Sequence, residues 1–513
     1  MSAIKRLAGQ TAIYGIPSIL GRVLGYLLVP LYTQYFLADA YGTVNVFYAY
    51  ASLLKIILTY GMETAFFRFS EQEKDGEKDR VYSTALISLF ITSVVFLLLI
   101  SLFSGSVAKW IDYPDASDYV IWFAWILTLD AMAAIPFARL RAQNKAKMFA
   151  TVNLTGILIN IGLNLFFIVL CPALLKHNTG NFISNALGLV YRSDWGIEYI
   201  FISNLVASSV TLLLLLPGIV SVKWKINPAL WKKMMIYAFP LLFAGMAGII
   251  NETFDRLLLR YLLPGTPEEA SFQVGIYSAC YKISILMTIF IQAYKYAAEP
   301  FFFAQAKDKN AKDTYRVIMN YFIIIVAVIF LSTMLYLDDI ILPLFLRGKD
   351  YWEGRGVIPI LLMANLFLGI YYNLSIWYKL TGKTSWGAWL SLTGAIITLG
   401  LNFLWIPLSP DHLIYGYYGS AWATFICYGV MMVLSYFIGQ KYFRINYDLR
   451  RFFGYIGLAV FLYFVSTKIV TDITILSIFF RTIIMIIFGI VVLFVEKPPF
   501  LKRYLHLNNK MNN

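Results

Sequence analysis

Charge is what this chain has least of. Only 14% of its 513 residues are Asp, Glu, Lys or Arg, where a soluble domain carries about 25%. That is too little to cover a water-soluble surface of this size. Cysteine and histidine are scarcer still, three of each. Cys171, Cys280 and Cys427 lie far apart, and His177, His412 and His506 do not cluster. Neither a disulfide framework nor a metal spacing results, so no metal and no cofactor is expected. Long loops are missing too. The largest, roughly 172–195, has room for a hairpin or a short helix. A soluble catalytic or nucleotide-binding domain is thereby excluded, and we expect no enzyme. The Gly-Lys-Thr at 382–384 imitates a phosphate loop, but Trp377 stands where its first glycine is needed.

What the chain has is apolar length. Hydrophobic residues make up 60% of it, with mean hydropathy +0.69. Many runs reach about 20 residues, enough to cross a hydrocarbon core about 30 Å thick. Lipid offers the backbone no hydrogen-bond partners, so the spans must be helices. Fourteen are expected, near 8–36, 41–69, 81–103, 118–138, 149–171, 196–219, 234–262, 272–303, 315–338, 357–378, 387–407, 418–440, 452–468 and 475–495. The fold class is an all-α polytopic membrane protein. The opening Met-Ser-Ala-Ile-Lys-Arg runs straight into span one, which we read as a permanent helix rather than a signal peptide.

The net charge of +14 is a matter of topology. With both termini in the cytoplasm, the cytoplasmic segments hold about 28 Lys and Arg and the outer ones about 7 (Arg68, Arg316 and Lys468 counted with the loops they adjoin). Nucleic acid is not a partner this distribution serves.

The chain repeats itself. "LTGILINIGLN" from Leu154 to Asn164 returns as "LTGAIITLGLN" from Leu392 to Asn402, a shift of 238 residues. Lys145 and Lys383 keep that shift. Weaker echoes link "YGIP", ending at Pro17, with "YAFP", ending at Pro240, and "TAFFRF" with "EPFFFA". The unit is six helices. An even unit puts both copies in the same orientation, related by a pseudo-two-fold axis along the membrane normal. The expected organisation is a six-helix lobe over 1–222, a second over 223–445, and two extra helices with a cytoplasmic tail over 446–513. Repeats of this sort mark transporters, with the substrate between the halves.

Intramembrane charges are costly and therefore informative. They fall mostly in spans one, two, seven and eight: Arg22, Lys55, Glu252, Asp255, Arg256, Arg260, Lys282, Lys295 and Glu299, with Asp130 in span four and Arg481 in span fourteen. Arg22 shares a helix face with Thr11, Ser18, Tyr26 and Thr33, a polar stripe suited to a wet cleft. Pro17 and Pro240 are hinge candidates. The spacing of Glu252 and Arg256 predicts an i,i+4 bridge that leaves Arg260 freer, and Lys295 is expected to pair with Glu299. Arg22, Lys55, Arg256, Arg260 and Lys282 outnumber Glu252 and Asp255. A basic cavity suits an anion, and arginine forks suit phosphate oxygens. Glu252, Asp255 and Asp130 are the candidate ion-pair or coupling carboxylates.

The opening region, "GRVLGYLLVPLYTQYFLADAYG" followed by "LLKIILTYGMETAFFRF", resembles the polysaccharide transporter family, the Wzx-type O-antigen flippases. These stand in a superfamily with MATE drug exporters and, more distantly, lipid II flippases. The resemblance implies a two-lobed fold and alternating access. It implies transfer of an undecaprenyl-pyrophosphate-linked oligosaccharide from the inner to the outer leaflet of a bacterial cytoplasmic membrane, for surface polysaccharides such as lipopolysaccharide. "RVLG" at Arg22 and "LLK" at Lys55 are similar to basic positions of lipid II flippases, which makes both candidate pyrophosphate contacts. Helix seven departs from its echo, with Gly245 where Arg22's counterpart would stand. The implied partners are the lipid-linked oligosaccharide, membrane lipids and other polysaccharide assembly proteins, around a monomer. An ion-coupled drug exporter stays open as the alternative; it needs an unpaired central carboxylate, Asp130 or Asp255.

Overall fold

The computed structural model describes residues 20–21, 23–72, 77–177, 187–306, 308–468 and 474–496. All regular structure among them is helical. Thirteen of these helices are long and apolar enough to cross a membrane, matching spans two to fourteen. The first part of span one, 8–19, lies outside the described residues with Pro17, and so does Arg22. The end of the span forms α1, Leu28–Tyr35.

We number the helices that matter here in chain order. Span two is α2, Ala38–Thr59, continued after a break at Tyr60 and Gly61, both with positive φ, by α3, Met62–Gln72. Spans three to six are α4, Lys78–Leu102, α5, Ser117–Ala142, α6, Ala146–Leu165, and α7, Glu198–Val220. The second half has α8, Pro228–Leu262, α9, Pro267–Gln305, α10, Ala311–Leu335, α11, Ile358–Leu374, α12, Ser385–Trp405, and α13, Tyr417–Tyr442. The last two spans are α14, Leu449–Ser466, and α15, Thr474–Glu496.

Local chemistry sets the long central helices. Asn227 caps α8, its side chain accepting from Leu230 N at 3.0 Å, with Pro228 at the first helical position. Thr266 and Glu269 form a reciprocal capping box on α9, again with proline behind the cap. The two helices have 35 and 39 residues. At 1.5 Å per residue they are about 50–60 Å long, so they project beyond the hydrocarbon on at least one side.

The packing repeats as the sequence does. In the first half α5 packs on α4, α2 and α7, and α7 on α6. In the second half α11 packs on α10, α9 and α13, and α13 on α12. α8 lies against α12. In the first half, Gly21 of span one lies against Ile157 of α6, where a Cβ would come within 2.5 Å. The repeated asparagines do the same job in both copies. Asn164 donates to the Asn160 carbonyl at 2.8 Å and Asn402 to the Thr398 carbonyl at 2.7 Å. Both are fully buried, and each keeps its amide satisfied within its own helix.

The halves meet along α2 and α9. A Cβ on Gly42 would sit 1.8 Å from the Ser271 carbonyl, and one on Gly275 1.8 Å from the Ala38 carbonyl. The two contacts are mirror statements of one another, four residues apart on each helix, so the pseudo-two-fold axis runs between Gly42 and Gly275. Only glycine lets the backbones approach this closely.

α8 packs against both halves. Its start packs on α3 and α4, where Trp231 Nε1 donates to Ser88 Oγ at 2.8 Å and Arg68 lies 4.2 Å over the Tyr237 ring. Its end packs on α12 and α9. Pro240 falls between these two regions, and α8 stays helical through it. The last pair of helices docks on α10: Arg481 of α15 bonds Asp339 at 2.8 Å and the Leu335 carbonyl at 2.8 Å, while Arg451 of α14 holds both Glu496 oxygens at 2.9 Å.

Candidate functional site and family

The end of the molecule that carries few lysines and arginines is closed by two related grips. In the first, the segment after α4 grips the end of α8. Arg260 donates to the Asp112 carboxylate and carbonyl, each at 3.0 Å, and to Tyr113 Oη at 3.1 Å. Its guanidinium lies 4.7 Å over the Tyr113 ring. Tyr261 Oη donates to the Ile111 carbonyl at 2.9 Å. Asp112 takes a left-handed conformation, φ 60°, which turns carbonyl and carboxylate to one guanidinium. In the second grip, the segment after α10 holds the end of α1. Arg347 N donates to Thr33 Oγ1 at 3.2 Å, Arg347 Nη1 to Gln34 at 2.6 Å, and Tyr351 Oη to the Phe36 carbonyl at 2.9 Å. The segments after α4 and α10, and the ends of α8 and span one, are repeat partners. The grips are therefore symmetric in layout and unlike in chemistry.

Beneath the first grip lies a buried charge network. Asp255 and Arg256 pair at 3.0 Å, and Tyr277 Oη donates to the other Asp255 oxygen at 2.5 Å. Arg256 also donates to the Glu252 carbonyl at 2.9 Å and lies 4.4 Å over the Tyr281 ring. Both charges are almost fully buried, so removing either partner leaves an uncompensated ion.

Two expectations fall here. Glu252 does not bridge Arg256: the adjacent Asp255, turned toward α9 and Tyr277, takes the guanidinium, and Glu252 offers it only a carbonyl. Arg260 is no freer than Arg256, its side chain being 3% exposed and bound across the halves. A third falls on α9. Glu299 pairs with Lys379 at 2.8 Å, and the Lys295 ammonium lies 4.5 Å over the Tyr372 ring. Those partners come from α11 and the short helix after it, Ile376–Leu380, which spacing along α9 does not reveal.

Deeper, the charges become accessible. Lys282 is half-buried and Glu252 exposed. They lie within electrostatic reach of one another, and no hydrogen bond or ion pair reaches either side chain among the described residues. Lys282 is seven residues past Gly275, about 10 Å below the closed end. Lys55 is thirteen past Gly42, about 20 Å below it. Its ammonium meets Asp130 at 2.9 Å, with the lysine side chain 51% exposed, and Ser208 donates to the second Asp130 oxygen at 2.9 Å. Lys55 and Asp130 were separate candidates in the sequence; α2, α5 and α7 bring them together. The second half also contains a cavity of about 630 Å³ between α8, α11, α12 and α13, lined by Asn251, Glu252, Tyr372 and Tyr428 among others.

A family model described as "Polysaccharide biosynthesis protein" matches residues 7–306. The chain belongs to that family. The matched region includes α1 to α9, hence the Arg260–Asp112 grip and every candidate residue, while Arg347 and Tyr351 of the second grip lie beyond it. Its fold is that of known transporters. It is similar to the solved structure of lipid II flippase MurJ in an inward closed conformation, at 16% identity and TM-score 0.71, covering 94% of this chain and 99% of that one. It is similar to a MATE protein in complex with MaD3S, at 13% identity and TM-score 0.59, over 86% and 98%. A multidrug resistance MATE family transporter in an inward-facing conformation gives 14% and 0.58, over 86% and 94%. No curated protein matches by sequence.

Asp112, Tyr113 and Tyr277 were not read from the sequence as site residues. Tyrosine is common in this chain, 36 in all, and an aspartate in a short loop carries no signal until its partner is known.

Proposed function

We propose that this protein is a flippase. It moves an undecaprenyl-pyrophosphate-linked oligosaccharide from the inner to the outer leaflet of the bacterial cytoplasmic membrane, by alternating access, for cell-surface polysaccharide such as O-antigen. The observation that carries the reading is the gradient of side-chain exposure along the axis between the halves. At the end assigned by charge bias to the outside, Arg260, Asp255 and Arg256 are buried and bonded. Toward the basic end, Lys282 and Lys55 are accessible, and Glu252 faces the cleft. That is an inward-open arrangement: cations await an anionic headgroup while the far side is shut. The pyrophosphate is taken by Lys55 and Lys282, with Arg22 as a further contact from span one. The lipid tail stays in the bilayer. The lobes are 1–222 and 223–445, working as a monomer with both termini cytoplasmic. Membership of the polysaccharide biosynthesis family supports the substrate class.

A drug exporter of the MATE type would need Asp130 or Asp255 unpaired; both are ion-paired and hydrogen-bonded. The test is leaflet transfer of lipid-pyrophosphate oligosaccharides in proteoliposomes. We expect transfer by the wild type. Absence of transfer across several such lipids, together with export of organic cations, would overturn the reading.

A further inference from the structure

We propose that the cavity between α8, α11, α12 and α13 is the saccharide subsite, and that Glu252 sets its charge preference: neutral or N-acetylated sugars over acidic ones. This rests on the flippase reading and deepens it. At about 630 Å³ the cavity falls within the usual range of small-molecule sites, about 300–1,000 Å³. Its lining combines what a sugar needs. Tyr371 and Tyr378, both mostly buried, and Tyr372, whose ring also carries the Lys295 ammonium, contribute polar-tipped aromatic lining, and Ser385 and Ser391 offer hydroxyls to a sugar's rim. An aromatic ring with a polar tip serves a partner that is apolar on one face and wet on the other.

Glu252 is the one carboxylate among the lining residues given above, and no side chain among the described residues neutralises it by an ion pair. An ionised carboxylate only accepts hydrogen bonds. It therefore suits hydroxyl and amide N–H donors and repels a uronic acid. Asn251, next to it, is already spent: its amide donates to the Ser391 carbonyl at 3.0 Å, its oxygen accepts from Thr398 at 3.4 Å, and its carbonyl accepts from Tyr428 at 3.1 Å. That network holds α8, α12 and α13 in register and leaves Glu252 to face the cavity. Lys282 stands within electrostatic reach of Glu252. In this proposal the pyrophosphate sits at Lys282, which does not itself line the cavity, the attached sugar enters the cavity, and the cation and anion sort headgroup from saccharide.

The experiment measures affinities of the full chain in nanodiscs for three probes: undecaprenyl pyrophosphate without sugar, with an N-acetylglucosamine disaccharide, and with a disaccharide containing glucuronic acid. We expect the wild type to favour the N-acetylated probe over the acidic one by roughly tenfold, since a like charge placed against a wrong ligand is an effective means of rejection. Glu252→Gln should bring that ratio near one. Ala388→Trp, which fills the cavity from α12, should erase the gain of the N-acetylated probe over the sugar-free one. An acidic-sugar ratio unchanged by Glu252→Gln, or a sugar gain that survives Ala388→Trp, would overturn the subsite. Binding of the sugar-free probe with no gain from either sugar overturns the subsite alone. Failure to bind any pyrophosphate lipid overturns the flippase reading with it.

Discussion

Arg260 reaches across the boundary between the halves and holds Asp112 twice, at 3.0 Å through the carboxylate and 3.0 Å through the carbonyl. The arginine is buried and the aspartate side chain is 54% exposed. The bond is thus anchored on the α8 side and wetted on the other, and under the proposed alternating access it is the contact that breaks in each cycle. Charge-assisted hydrogen bonds of this kind contribute about 1.5–3 kcal/mol.

Replacing Arg260 should loosen the closed end. Arg260→Ala is expected to shift the balance toward the outward-open state by roughly tenfold or more, as about 1.4 kcal/mol per decade implies. The readout is labelling of Glu252→Cys, an exposed position below the closed end, by a membrane-impermeant maleimide added outside, which should rise. Arg260→Lys should restore only part of the closure, because an ammonium lacks the planar fork that grips two oxygens.

The glycine crossing should be intolerant of any side chain. Gly42→Ala and Gly275→Ala each put a Cβ within 1.8 Å of a carbonyl oxygen. Both variants are expected to hold the closed end apart, raising outside labelling of Glu252→Cys and lowering transfer. Labelling at wild-type levels in both would mean that the helices meet elsewhere.

The Asp255–Arg256 network should be a matter of stability. Asp255→Ala leaves a buried guanidinium, and we expect a loss of about 3–5 kcal/mol, read as a fall in Tm of the purified protein. Tyr277→Phe removes one hydrogen bond and should cost about 1 kcal/mol. The double replacement Asp255→Leu with Arg256→Met should recover most of the loss, since a buried pair is often no better than its apolar counterpart.

Lys55 should behave differently, because its partner competes with the substrate. Asp130→Asn frees the ammonium from a bond worth about 0–1 kcal/mol when exposed, so affinity for a pyrophosphate lipid should rise up to about fivefold. Lys55→Ala should lower it. Equal losses in both variants would make the pair structural.

The fold was legible because the bilayer imposes it. Spans follow from apolar length, and the repeat from "LTGILINIGLN" and its copy, whose asparagines make the same bond in both halves. The site was legible only in composition. Lys55 and Asp130 were picked out singly, since a costly charge advertises itself, but their pairing depends on how α2 and α5 are rotated. Glu252 and Arg256 were joined by spacing, and the structure gives Arg256 to Asp255 because Tyr277 on α9 completes that alternative. The grip of Asp112 on Arg260 spans 148 residues, and no local pattern encodes it.

The central claim is that this closed end must open for the headgroup to cross. The direct measurement uses Asp112→Cys with Arg260→Cys in a background where Cys171, Cys280 and Cys427 are serine. Transfer of a lipid-pyrophosphate oligosaccharide in proteoliposomes is followed before linking, after joining the pair with a short cleavable bis-maleimide, and after cleavage. The account predicts transfer, then arrest, then recovery. Transfer continuing at its former rate with the link complete would contradict it.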